Sequence, residues 1–271
     1  MKTNKIAKIL TALLAGTMVL SSASCGENSK PAPESAFEIE LKRNDSAVGI
    51  CGYKGNAKNL IIPATIQGLP VVGINLMLYD EPTGKSNTIS LVIPEGVEYV
   101  DIYNAKNLKS VTLPSTLKVI AMSNCSKLEN IDIPEGVEII RSFKNTPLKA
   151  IKLPESLKYI RTNAFEDTKI KTVTLPRGLK YIGRGAFDPC DELEEINIPE
   201  NWSYFMAFYD DSYHDYLKRE YEYLIFSGQK INESVACQKT IKQLVKLCSS
   251  PTKKDREEFD RFCEELNYYH W

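Results

Sequence analysis

Histidine is almost missing from this 271-residue chain: only His214 and His270 occur, and neither lies between residues 37 and 205. Most of the molecule therefore lacks the commonest proton shuttle and metal ligand. There is no Cys-x-x-Cys and no His-x-x-x-His pair, so no standard zinc or thiol-redox spacing is offered. Neither sign of charge is in excess. Thirty-four Lys and Arg face 35 Asp and Glu, a net charge of -1, which gives no electrostatic reason to expect nucleic acid. No apolar run is long enough to span a bilayer stably, which takes about 18 residues or more; Ile9 to Leu20 falls short. What is present, 43% hydrophobic and 25% charged residues, suits a folded body rather than a disordered chain.

A phrase built around proline recurs six times. Aligned on Pro94, Pro114, Pro134, Pro154, Pro176 and Pro199, the copies are 20, 20, 20, 22 and 23 residues apart. Three before each proline stand Leu91, Val111, Ile131, Ile151, Val173 and Ile196; one before it stand Ile93, Leu113, Ile133, Leu153, Leu175 and Ile198. Apolar residues at period two make a short strand with one face inward, and the proline ends it because it has no N–H for a ladder. Three and six after each proline come Val97 and Val100, Leu117 and Ile120, Val137 and Ile140, Leu157 and Ile160, Leu179 and Ile182, Trp202 and Phe205. These bury the returning half of each turn. A single rung buries too little alone, so stacked rungs must share one core, which is a solenoid.

The unit L-x-x-V-x-L-P-x-x-L-x-x-I, as in Leu108 to Ile120, resembles the leucine-rich repeat of the BspA-like bacterial surface proteins. Asn163-Ala164-Phe165 and Gly185-Ala186-Phe187 are similar to that family's G-x-x-A-F element. Tyr53-Lys54-Gly55, Ile62 to Ile66 and Gly68 to Val71 resemble its first rung. The rungs at Pro94, Pro114 and Pro134 lack Ala-Phe and are expected to be thinner on the outer side. The resemblance covers residues 47 to 205; it implies a scaffold with no catalytic motif and a role in surface adhesion, a warrant by analogy.

Lys2, Lys5 and Lys8 followed by Ile9 to Leu20 and the small residues Ser21 to Ser24 read as an export signal over residues 1–24. Cys25, directly after small residues, resembles a bacterial lipobox in which the thiol takes a lipid; Ser22-Ala23-Ser24 also suits ordinary small-x-small cleavage. Residues 25–36, with Pro31 and Pro33, read as a tether.

Cys125 and Cys190 each lie nine residues before their proline, in a column with Ala105, Asn145 and Asp167; the resemblance to leucine-rich repeats implies that this column faces inward at a bend and bonds neighbouring backbone. Three rungs of about 4.8 Å separate the two cysteines, beyond disulfide reach, so free buried thiols are expected. Residues 206–271 differ. Tyr213, Tyr216, Leu217, Glu220, Tyr221, Leu224 and Ile225 follow helical spacing, as do Cys237, Ile241, Leu244, Val245 and Cys248, and then Phe259, Phe262, Cys263 and Leu266. The expected fold is therefore α+β: a leucine-rich repeat solenoid of short parallel strands with mostly non-helical returns over 37–205, and a three-helix C-terminal cap. The tail's tyrosines alternatively form a recognition surface. A hairpin of the second and third helices about Ser250–Pro251 brings Cys237 level with Cys263, a candidate disulfide; three reduced cysteines are the alternative.

Charges also repeat. Five before the prolines the column reads Lys109, Glu129, Lys149, Lys171, Glu194, and four after it Glu98, Lys118, Glu138, Lys158, Lys180, so cross-rung ion pairs are expected. The outward strand positions Ser110, Thr112, Asn130, Asp132, Lys152, Thr172, Thr174, Glu195 and Asn197 form the candidate binding face. It is polar and mixed in sign, which suits a protein or glycan ligand such as extracellular matrix or a host surface. Three readings follow: a lipid-anchored surface protein that binds partners, a structural envelope component with no separate ligand, and thiol or metal chemistry in the tail. No cofactor or metal is expected.

Overall fold

The computed structural model describes residues 30–78, 87–183, 185–187 and 189–197. Cys25, Cys237, Cys263 and the stretches read as an export signal and as three tail helices lie outside them. Helix is almost absent from the described residues: a single 3-10 turn, Glu34–Ala36, precedes a β-solenoid.

The proline-flanked strands form as the period-two pattern dictates. β3 (Asn59–Ile61), β6 (Ser90–Val92) and β8 (Ser110–Thr112) make a parallel three-stranded ladder, with Leu60, Leu91 and Val111 in one row. β12 (Thr172–Thr174) and β14 (Glu195–Asn197) make a second, with Val173 opposite Ile196. Between them, at residues 129–133 and 149–153, the chain follows the same path without forming strand. The outward residues there are Asn130, Asp132, Ala150 and Lys152, types depleted in strands, whereas β8 and β12 place Thr112, Thr172 and Thr174 outward.

The returns are themselves strands, and they build the larger sheet. β5 (Leu69–Met77), β7 (Tyr99–Tyr103), β9 (Val119–Ser123), β10 (Ile139–Ser142), β11 (Tyr159–Ile160) and β13 (Tyr181–Ile182) lie parallel in sequence order. One row of partners reads Ile74, Val100, Ile120, Ile140, Ile160 and Ile182. Every member of that row is in the core. The sheet's N-terminal edge is closed by an antiparallel hairpin, β1 (Phe37–Lys42) with β2 (Ala47–Tyr53), while β4 (Thr65–Ile66) pairs back on β5. The outermost strand carries Glu38, Glu40 and Lys42, and such charges discourage edge-to-edge association.

The core lies between the two strand sides and runs unbroken from Phe37 to Ile196. Ala36 packs on it and the Ala32 amide donates to the Ile61 carbonyl at 2.9 Å, so the folded body begins at Pro31, inside the stretch read as tether. The outer bend is filled earlier than the Ala-Phe motifs predict. Phe143, Phe165 and Phe187 stack in sequence, ring centroids 5.7 and 4.9 Å apart, so the rung at Pro134 is already thick. Phe143 reaches that place because β10 shifts register between Ile140 and Ser142.

Candidate functional site

All nine residues of the candidate face, Ser110, Thr112, Asn130, Asp132, Lys152, Thr172, Thr174, Glu195 and Asn197, are exposed on the short-strand side, while the alternate residues Ile131, Ile151, Val173 and Ile196 are buried beneath them. Thr172 lies opposite Glu195 and Thr174 opposite Asn197, so neighbouring rungs present their polar groups in register. In the middle of this face the amides of Ile131 to Ile133 and of Ile151 to Leu153 make no backbone hydrogen bond to adjoining rungs. Their peptide groups are left to water or to a ligand.

Bordering the face, two of the expected cross-rung pairs form: Lys149 Nζ to Glu129 at 2.7 Å, and Lys158 Nζ to Glu138 at 2.8 Å. The hydrogen bond from Lys149 holds the Glu129 carboxyl below its ordinary range and lifts the lysine in return. Glu98 is instead taken by Arg43 from the loop between β1 and β2, and Lys118 Nζ lies 3.4 Å from the Gly136 carbonyl.

Below the prolines a second alternation joins the rungs. Thr116 Oγ1 accepts from the Gly96 amide at 3.0 Å and donates to the Val97 carbonyl at 2.8 Å; Ser156 Oγ does the same to Gly136 and Val137 at 2.9 and 2.8 Å. Gly96 and Gly136 sit at φ +96 and +105, which an L side chain rarely adopts. Glycine on one rung and a hydroxyl on the next thus act as a pair.

Cys125 and Cys190 are buried and outside any disulfide, as expected of their column. Burial pushes the Cys125 thiol up to about 12, and Cys190 Sγ donates to the Phe165 carbonyl at 2.9 Å. Asn145 and Asp167 correct the column. Both are exposed, with φ 55 and 57, and Thr146 and Thr168 take the inward places. Counting back from proline misplaced them by one because a single residue, Pro147 or Lys169, separates the inward threonine from the core residue Leu148 or Ile170, where two residues separate Cys125 from Leu128. Asn145 belongs to an outer ladder, Asn145 Nδ2 to Asn124 at 2.7 Å and Asn124 Nδ2 to Asn104 at 3.1 Å.

One cluster was not foreseen. On the outer side of the return sheet the Tyr99 hydroxyl donates to Asp101 Oδ2 at 3.2 Å and accepts from Arg141 Nη1, whose guanidinium carbon stands 5.5 Å from the ring centroid. Burial, reinforced by Asp101, holds the Tyr99 phenol far above its ordinary range. Burial likewise raises Asp101, against the pull of Arg141. The available signal was the column five after each proline, Tyr99, Val119, Ile139, Tyr159 and Tyr181, apolar beside an already apolar column. Among the described residues no group of His, Cys, Asp and Glu is placed to hold a metal, and no helix is long and apolar enough to cross a membrane.

The family model for BspA type leucine rich repeat regions, six copies, matches residues 84–142 and 121–213. Among solved structures, the T. pallidum leucine rich repeat protein is 25% identical, with a TM-score of 0.55 over 71% of this chain and 95% of that one. A leucine-rich repeat protein from Bacteroides ovatus is 23% identical, TM-score 0.47, over 63% of this chain and 54% of its own. A leucine rich cell surface protein from Faecalibacterium prausnitzii is 24% identical, TM-score 0.45, over 64% and 55%. A search of curated proteins finds no match.

Proposed function

The repeat region is a BspA-type leucine-rich repeat region, and from that premise we propose that the chain is an exported, lipid-anchored surface protein whose short-strand face binds a protein or glycan partner. The observation that carries this reading is the row of exposed polar side chains, mixed in sign, which paired strands place in register at its two ends, Ser110 and Thr112 and then Thr172, Thr174, Glu195 and Asn197. Such a surface favours many weak, directional contacts over burial of a lipid or attraction of a polyanion. Repeat scaffolds of this kind present surfaces rather than catalytic groups. Anchoring rests on Cys25: about 0.8 kcal/mol per buried methylene would hold two or three acyl chains on a membrane permanently.

Two measurements test it. The mature protein should begin at Cys25 and carry added acyl mass; an unmodified Cys25 removes the anchor. Binding of the full chain to purified matrix proteins and a glycan array should be lost when Asn130, Asp132, Lys152 and Thr174 are changed together to alanine. Undiminished binding by that folded variant would place the contact elsewhere.

A further inference from the structure

Outward positions on a solenoid sheet meet solvent unless something lies over them, and the two strand sides differ in this. On the short-strand side every candidate-face residue is exposed. On the return sheet Tyr99, Val119, Ile139 and Tyr159 form one row across four strands, retaining only 2, 0, 6 and 4% of their surface, with Ala121 at 2%. None of these five belongs to the core, which takes the alternate residues Val100, Ile120, Ile140 and Ile160 from the same strands. Along this row both faces of the sheet are thus covered, yet the described strands lie beside one another and none is stacked across it.

We infer that the C-terminal segment, residues 206–271, docks along this outer row of the return sheet, bracing the solenoid from the side. The internal stretch 79–86 cannot supply the cover. Eight residues reach about 28 Å at most, whereas going from β5 to β11 and back takes eight ladder steps, about 38 Å. The C-terminal segment has the length, and the apolar stripe of Tyr213, Tyr216, Leu217, Tyr221 and Leu224 at helical spacing suits a tyrosine-lined row. Charge agrees. The row is flanked by Arg141 and Arg161 against Asp101, while residues 206–225 carry Asp210, Asp211, Asp215, Glu220 and Glu222 against Lys218 and Arg219. This seat lies on the opposite side from the polar face and leaves it open to a partner.

Of the two tryptophans, Trp271 lies in the docking segment and Trp202 in the last repeat, so with Trp202→Phe as the background the emission reports the segment alone. In the full chain, Ile139→Asp should red-shift that emission and speed trypsin cleavage at Lys218–Arg219 at least about tenfold, because cleavage follows the undocked population. Thr112→Asp, on the other face, should change cleavage less than about twofold. If Ile139→Asp fails to fold, Arg141→Glu on the sheet and Leu217→Asp on the tail should each produce the same release. Unchanged emission and cleavage in a folded variant would overturn the inference. So would dissociation of a dimer with tail cleavage unchanged, which assigns the row to a second copy, or release of the N-terminal segment instead.

Discussion

The two strand sides of this solenoid are built from the same repeat but treat their outward residues in opposite ways. On the proline side the outward positions from Ser110 to Asn197 are Ser, Thr, Asn, Asp, Ala, Lys and Glu, all exposed, and the ladder is broken over residues 129–133 and 149–153. On the return side the outward row Tyr99, Val119, Ile139 and Tyr159 is aromatic or branched, buried, and part of one continuous sheet. The core residues follow suit: Val100, Ile120, Ile140 and Ile160 are fully buried, while Ile131, Ile151 and Leu153 keep 7 to 9% of their surface. The return sheet carries the fold, and the proline side is relaxed enough to present a surface. A repeat that is uniform in sequence period need not be uniform in mechanical role.

The contrast should break first at the aromatic stack. Phe165 lies between Phe143 and Phe187, and Phe165→Ala should cost about 3 to 5 kcal/mol in urea unfolding. Next, Ile140→Ala and Ile131→Ala remove the same methylenes from opposite sides; both fall in the range of about 2 to 5 kcal/mol, with Ile140 the larger because its site is sealed on both faces of the sheet. Equal losses would mean the two sides share the load evenly.

How much of this was legible beforehand follows from which columns are phased by proline. The short-strand segments, their inward residues and the polar face sit within four residues of a proline and could be counted from it, whereas the count of nine that places the buried thiols fails at Asn145 and Asp167. Residues beyond the turn could not be counted so safely. The single residue between Thr146 and Leu148 puts Thr146 in the place assigned to Asn145, and the additional residue in β10 brings Phe143 into a stack that the Ala-Phe motif alone does not announce. That the returns form the major sheet was legible in the paired apolar columns five and six after each proline, but only the second was read as burial. The hairpin that closes the N-terminal edge has no proline to phase it; its first strand, Phe37–Lys42, alternates apolar and charged residues, a period-two signal that goes unused when the rungs are counted from proline.

Smaller effects sharpen the comparison. Ser156→Ala leaves the Gly136 amide without its acceptor and should cost about 1 kcal/mol, whereas Thr112→Ala, exposed on the polar face, should cost less than about 0.5 kcal/mol. Asp101 gives a pH signature. Its folded-state pKa is raised, so ionisation of this group costs stability above that value, and its contribution improves as pH falls through it. Asp101→Asn should therefore be the more stable form at neutral pH, with the difference vanishing below the ordinary carboxylate value of about 3.9, as thermal melts across pH would show.

Native-state hydrogen exchange on the full chain tests the division of labour most directly. The amides of β7, β9 and β10 should be the slowest in the molecule, and those of Ile131 to Ile133 and Ile151 to Leu153 should exchange at least about a hundredfold faster while the return sheet stays closed. Equal protection of the two sides, or faster exchange on the return sheet, would contradict the account.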